Sequence, residues 1–124
     1  MNLSDYKGIL VFAEQRDCII QNVGLELIGE AKKLAAKLNV TVTAALIGYK
    51  VEGLAQNLIE YGADKVVVVD NELLKQYDTE AYAQALTAII NAKKPEIVLL
   101  GATTLGRDLA PRVSSRISTG LTAD

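Results

Sequence analysis

The stretch VVVVDNELLKQYDTEAYAQALTAIINAKKPEIVLL, residues 66–100, decides the fold. It opens and closes with short runs of Val, Ile and Leu, which are typical of strands buried on both faces of a parallel sheet. Between the runs, apolar residues recur at helical spacing. Asp78 or Thr79 is placed to cap this helix, and Pro95 follows its end. The stretch therefore predicts a strand, a helix and a second strand parallel to the first.

The same alternation continues toward the N-terminus. Apolar runs at 8–13 and 40–47 predict two further strands, and two further helical stripes follow them. Gly62 stands where a residue just past a helix end is expected. The sequence thus predicts an α/β fold with a three-layer, Rossmann-like parallel sheet. Its four strands are expected near 8–14, 40–48, 65–70 and 96–101, and its helices near 22–38, 51–61, 79–93 and 107–118.

Composition narrows the classes of function. The 124 residues fit one domain, and the formal net charge of −2 gives no reason to expect nucleic acid or an acidic membrane as partner. Histidine is absent and Cys18 is the single cysteine, which excludes an internal disulfide, histidine-based triads and most zinc sites. No apolar run reaches the roughly 20 residues of a membrane span. We expect a soluble protein of a reducing cytoplasm, with no catalytic set and no metal site.

The segment that follows the fourth predicted strand is the candidate binding site. Ligands of open α/β sheets bind beyond the carboxyl ends of the strands. Glycines let the backbone approach a ligand, hydroxyls donate to it, and an arginine pairs with phosphate or carboxylate. An equally strong interpretation is ordinary turn chemistry followed by a helix cap. The candidate residues for nucleotide or subunit contact are Gly101, Thr103, Thr104, Gly106 and Arg107.

Proline and arginine residues shape the expectation for the last helix. Because Pro111 is comfortable only in a first turn, we expect the regular helix to begin near Asp108. Arg107, Arg112 and Arg116 lie close together along it. They are either a solvated face or a basic edge for an acidic partner, and composition favours the solvated face.

The polar loop between Ala13 and Val23 is predicted to contain a tight turn near residues 16–18. Cys18 lies in this turn and is most simply a loop or packing residue, since its neighbours in the sequence give no reason to expect a reactive thiol.

Several motifs together resemble the α subunit of electron-transfer flavoproteins. The resemblance covers the whole chain and is most specific near its C-terminus. The segments that carry it are GRDLAPRV at 106–113 with Arg116, TGLTAD at 119–124, VFAEQRD at 11–17, LELIGEA at 25–31 and YGADKV at 61–66.

The resemblance implies a fold of the adenine-nucleotide α-hydrolase-like type and a heterodimer with a β subunit. In that family the α subunit continues into a domain that holds FAD, and the β subunit commonly binds AMP or a second FAD. The complex carries electrons from acyl-CoA or other dehydrogenases to an acceptor. The resemblance therefore implies a subunit of an electron carrier, not an enzyme, in the cytoplasm of a bacterium or archaeon.

The sequence departs from the family pattern in two places. It stops at Asp124, so residues 1–124 are expected to form an incomplete N-terminal α/β domain that lacks the FAD domain. Such a chain would serve as scaffold and subunit contact without its own flavin, while AMP binding at residues 101–108 is left open. Cys18 stands where the family is expected to have glycine.

Two other classes of protein are alternatives to an electron-transfer flavoprotein subunit. The first alternative is a free-standing adenine-nucleotide module of the universal-stress type, although residues 101–108 match its glycine-rich loop poorly. The second is a degenerate enzyme of the same superfamily. Because an incomplete sheet leaves an open edge, we also expect self-association, with residues 118–124 either in that contact or disordered.

Overall fold

The computed structural model describes residues 5–117 and 122–123. Strands and helices alternate along the chain, with a short hairpin inserted after the first strand. The strands are β1 (Ile9–Phe12), β2 (Gln15–Arg16), β3 (Ile19–Ile20), β4 (Val42–Gly48), β5 (Lys65–Asp70), β6 (Ile97–Leu100) and β7 (Thr122–Ala123). The helices are α1 (Asn22–Leu38), α2 (Ala55–Glu60), α3 (Thr79–Lys93) and α4 (Thr104–Ser114), with 3₁₀ turns at Glu52–Leu54 and Glu72–Leu74.

The main sheet is parallel throughout and has the strand order β5-β4-β1-β6-β7. β1 lies at its centre, where Val11 stands between Ala44 of β4 and Leu99 of β6. The predicted three-layer parallel fold is confirmed. β2 and β3 form a separate antiparallel hairpin above the sheet.

Two hydrophobic clusters, one on each face of the sheet, make up the core. Side chains alternate across a strand, so Ile9 and Val11 of β1 pack with α1 and α2, whereas Leu10 and Phe12 pack with α3 and α4. All four of these side chains are buried. Each contributes about 1.5–3 kcal/mol relative to leaving it in water, which is why the central strand reads as a continuous apolar run.

Local signals in the sequence fixed two helix ends. Asp78 is the N-cap of α3, and its side chain accepts hydrogen bonds from the backbone N–H groups of Glu80 and Ala81, at 3.0 and 3.5 Å. Gly62, just beyond α2, has a φ of +124°, a value that favours glycine. Both positions confirm the sequence prediction.

Two strands differ from expectation. β7 was not among the four predicted strands, because two residues carry no periodic signal, yet it pairs in parallel with β6 at Leu99 and Leu100. β5 was expected to be buried on both faces, but it is an edge strand and Val66–Val69 are only half-buried. An edge position limits the cover that helices provide. Residues 118–121 and 124, on which the prediction for the tail also rested, lie outside the described residues.

The start of α4 also differs from the sequence prediction. The sequence placed it near Asp108, but it begins at Thr104 and Pro111 lies well inside it. Thr103 caps the helix, and the buried side chains of Leu109 and Val113 hold it against the sheet. Pro111 is exposed, and it removes the donor that the Arg107 carbonyl would have in a regular helix. Packing and the cap therefore outweigh the penalty of about 3 kcal/mol for an interior proline.

Candidate functional site

The candidate site lies at the carboxyl ends of β1 and β6. From β1 the chain moves outward to β4 and β5 and then returns to β6 on the opposite side of β1. The direction of winding therefore changes between β1 and β6, and a crevice opens where the two following loops separate. A cavity of about 470 Å³ occupies this crevice, which is within the range of small-molecule sites.

A hydrogen bond crosses the crevice and joins its two loops. Glu14 follows β1, and its Oε1 accepts a hydrogen bond of 2.6 Å from the Thr103 hydroxyl, which follows β6. The same hydroxyl oxygen accepts from the backbone N–H of Gly106 at 3.0 Å and so caps α4. Glu14 is only 6 % exposed. Thr103 therefore holds a buried carboxylate and a helix start with one side-chain oxygen.

The two glycines of the β6–α4 loop are required by the packing of the chain against itself. A Cβ atom on Gly106 would lie 1.9 Å from the carbonyl oxygen of Gly101, and one on Gly101 would lie 2.6 Å from Cγ2 of Val23. The first contact is with rigid backbone, so it cannot relax cheaply. The absence of a side chain at these positions is thus explained without a ligand that approaches the backbone.

The β2–β3 hairpin forms the wall of the crevice opposite the β6–α4 loop. Gln15 donates from Nε2 to the Ile47 carbonyl at 3.0 Å and to the Tyr82 hydroxyl at 3.3 Å, and its Oε1 accepts from the Cys18 N–H at 3.0 Å. Asp17 and Cys18 have φ values of +51° and +65°, the pattern of a type I′ turn. The predicted tight turn is confirmed, and Cys18 occupies a position that favours glycine.

Tyr77 and Asp108 form the third side of the cavity. Tyr77 donates to Oδ2 of Asp108 at 2.8 Å, and Thr79 donates to the same oxygen. These hydrogen bonds, that of Thr79 first, hold the pKa of Asp108 below its usual value. Burial, with the neighbouring carboxylate, raises the pKa of Tyr77 to about 12, so this hydroxyl keeps its proton and donates at neutral pH.

The structure places the predicted site residues in different surroundings. Thr104 lines the cavity beside Leu105. Thr103 lines an adjoining cavity of about 410 Å³ on the side of α1. Gly101 and Gly106 are buried in the loop, and Arg107 is exposed and lines neither cavity.

Sequence patterns did not point to the residues that give the crevice its character, which are Glu14, Gln15, Tyr77, Tyr82 and Asp108. One signal was available, since Glu14 and Gln15 are polar residues directly after a buried strand. The tyrosines carried no such signal, because they fit equally well into the apolar pattern of the α3 region.

The three arginines near the C-terminus are all exposed. Arg107 and Arg112 lie in α4, and Arg116 follows the end of this helix at Ser114. Arg116 reaches back to Glu80 at the start of α3, and both carboxylate oxygens lie 2.6 Å from its Nη2. The expectation of a solvated face is therefore correct, and Arg116 in addition joins the segment after α4 to α3.

Fold and site together define an open parallel α/β domain of the adenine-nucleotide α-hydrolase-like class, with a crevice at the point where the winding reverses. Within that class, the chain belongs to the electron transfer flavoprotein family: the family model described as "Electron transfer flavoprotein domain" matches residues 9–124.

Similar proteins agree with this assignment. The electron transfer flavoprotein subunit alpha of Clostridium acetobutylicum is 52 % identical over 124 residues, which are 100 % of this chain and 37 % of that protein. The subunit of the same name from Thermoanaerobacterium thermosaccharolyticum is 56 % identical over 122 residues, 98 % of this chain and 37 % of that protein. The chain thus spans a little over a third of the length of these curated relatives.

A solved structure supports the fold class alone. The universal stress protein from Archaeoglobus fulgidus, in complex with dAMP, superimposes with a TM-score of 0.60 at 12 % identity, covering 95 % of this chain and 97 % of that one. In the part of this chain that the structure describes, no helix is both long and apolar enough to cross a membrane.

The residues at the crevice do not fit a flavin dinucleotide. A pyrophosphate needs cations or free backbone N–H groups at close range. Here the cavity presents three carboxylates, Glu14, Asp17 and Asp108, against two cationic side chains, Arg16 and Lys75. The glycines of the β6–α4 loop are filled by the chain's own atoms rather than open to a phosphate.

Proposed function

We propose that this chain is the N-terminal α/β domain of an electron-transfer flavoprotein α subunit, in which it acts as scaffold and subunit-contact domain. The observation that carries the proposal is the match along the whole chain to proteins of that name, at 52 % and 56 % identity. The complex would carry electrons from acyl-CoA or other dehydrogenases to an acceptor through FAD held outside residues 1–124. We place it in the cytoplasm of a bacterium or archaeon.

A scaffold role is consistent with the arrangement at the crevice. Glu14 and Asp108 accept hydrogen bonds from the hydroxyls of Thr103, Tyr77 and Thr79. These contacts tie the loops that follow β1 and β6, and helices α3 and α4, to one another.

Mixing the chain with its cognate β subunit tests the proposal. Light scattering across a concentration series should give the summed mass of one chain of each kind. The chain alone should purify without a flavin absorption band, and we expect it to self-associate, most simply as a two-fold dimer. A strictly monomeric mass at high concentration, together with no complex on mixing, would contradict the interaction role.

Binding of adenine nucleotide is the second candidate function, favoured by the cavity at the switch point of the sheet. The neighbouring fold in complex with dAMP belongs to the same class. If AMP binds the native chain, its apparent stability must rise by mass action. A thermal shift with AMP that saturates would support this function, and an unchanged melting temperature at millimolar AMP would exclude it.

A further inference from the structure

The inner wall of the crevice has a marked imbalance between donors and acceptors. Three hydroxyl protons at this wall are already donated within the chain: Thr103 to Glu14, Tyr77 to Asp108, and Tyr82 to the Leu74 carbonyl at 2.8 Å. The amide of Gln15 is equally committed, to Ile47 and Tyr82. A ligand that reaches these groups therefore meets acceptors rather than free donors.

Glu14 carries the largest unused acceptor capacity. Its Oε1 accepts from Thr103, but no described residue donates to Oε2, and within the described residues no cationic nitrogen lies within 4.0 Å of this carboxylate. The side chain is 6 % exposed and lines both adjoining cavities. In the described part of the chain, Thr87 Oγ1 alone is a fully buried side-chain N or O atom without a partner, so solvent still reaches Glu14 Oε2. A carboxylate that is largely removed from water but keeps one oxygen open to two cavities is placed to accept from a ligand donor that enters either of them.

Surrounding groups add to the preference for positive charge. Oδ1 of Asp108 receives no hydrogen bond from a described residue, because Tyr77 and Thr79 both use Oδ2. The rings of Tyr77 and Tyr82 meet edge to face with their centroids 5.0 Å apart. Tyr82 is buried, so the half-buried Tyr77 is the one of the two that can offer its ring to a cation. The cationic side chains of the cavity, Arg16 and Lys75, are exposed at its rim.

We propose that the crevice between β1 and β6 binds a small organic cation whose N–H groups donate to the Glu14 carboxylate. A guanidinium fits best, because its planar donors match a carboxylate and its face stacks on aromatic rings. The site would disfavour phosphates, since an anion meets buried acceptors there, and this inference therefore competes with adenine-nucleotide binding in the same cavity. This inference concerns the chain's own cavity and stands or falls independently of its pairing with a β subunit.

Two probes that differ in charge but not in shape test the proposal. n-Butylguanidinium and n-butylurea both present planar N–H donors, and only the first is cationic. Titrations followed by ¹H–¹⁵N NMR at low millimolar ligand and fixed ionic strength should show saturable shifts of the Gln15, Tyr77 and Leu105 amides with n-butylguanidinium. We expect n-butylguanidinium to bind at least about ten-fold more tightly than n-butylurea, the ratio that one charge-assisted contact supplies, and AMP to bind most weakly.

Variants supply the second arm. Glu14→Gln keeps the shape and an acceptor for Thr103 but removes the charge, and it should weaken n-butylguanidinium binding at least about ten-fold. Glu26→Gln, on the exposed face of α1 and outside both cavities, should leave binding unchanged. Should Glu14→Gln fail to fold, the order of the three ligands in the wild-type chain decides alone. Equal binding of the cation and the urea, tighter binding of AMP, or no binding by the folded wild-type chain would overturn the proposal.

Discussion

Two loops face each other across the crevice, and they reach their shapes by opposite means. The β6–α4 loop uses glycine where its own backbone leaves no room for a side chain, at Gly106 and Gly101. The β2–β3 hairpin has no glycine, although Asp17 and Cys18 both have left-handed backbone conformations. The first loop is thus fixed by close packing. The second is held in a conformation that L residues rarely adopt by the contacts of Gln15 beneath it.

The largest effect is expected from filling the tighter loop. Gly106→Ala should lower the free energy of unfolding by about 3 kcal/mol, because the alanine Cβ would lie only 1.9 Å from the Gly101 carbonyl oxygen. Urea denaturation measures this change. Gly29→Ala is the matched control: it lies inside α1 with nothing within 4 Å of the added Cβ, and it should raise stability by about 0.5–1 kcal/mol. Similar values for the two variants would contradict the packing argument.

The second-largest loss of stability is expected from breaking the hydrogen bond between Thr103 and Glu14, which crosses the crevice. Thr103→Val removes the N-cap of α4 and the donor to buried Glu14, and we expect a loss of about 2 kcal/mol in urea denaturation. Thr103→Ser keeps the hydroxyl, so its loss should stay below about 1 kcal/mol. If the serine variant is as unstable as the valine variant, the methyl group rather than the hydroxyl holds the crevice together.

Removing the backbone strain in the β2–β3 hairpin should raise the stability of the chain, by less than the two preceding changes lower it. Cys18→Gly should stabilise the chain by about 0.5–1 kcal/mol, because a left-handed residue costs about 1–2 kcal/mol and glycine returns part of this gain through its flexible unfolded state. Asp17→Gly should gain less, since aspartate tolerates this conformation better. The thermal midpoint reports both changes. A fall for Cys18→Gly would show that the thiol contacts with the carbonyls of Tyr49 and Lys50 outweigh the backbone strain.

The smallest effect is expected on the pH dependence of stability, through the carboxylate of Asp108 in α4. The folded pKa of Asp108 is lowered by its hydroxyl partners. Its contribution to stability is therefore fully present above the unfolded pKa and is lost as the pH falls through the lower, folded value. When melting temperature is plotted against pH, the Asp108→Asn curve should be flatter than the wild-type curve at acidic pH. The two curves should run nearly parallel around neutral pH. An unchanged slope below pH 4 would show that Tyr77 and Thr79 do not favour the ionised form.

Much of this molecule follows from its sequence alone, because the deciding signals are local. Short apolar runs gave the four longer strands of the main sheet, and Asp78 and Gly62 marked helix ends through backbone preferences that act within a few residues. The turn at Asp17 and Cys18 was visible in the polar loop. The motif at 106–113 identified the family. None of these inferences needed to know which strands are neighbours.

The tertiary structure decided what local patterns cannot contain. Strand order made β5 an edge and brought Glu14 within hydrogen-bond distance of Thr103, 89 positions away in the sequence. Packing of Leu109 and Val113 allowed α4 to run from Thr104 through Pro111, against the local preference. The physical reason is the same in each case: burial and strand order act between segments distant in sequence, whereas periodicity and caps act only between near neighbours.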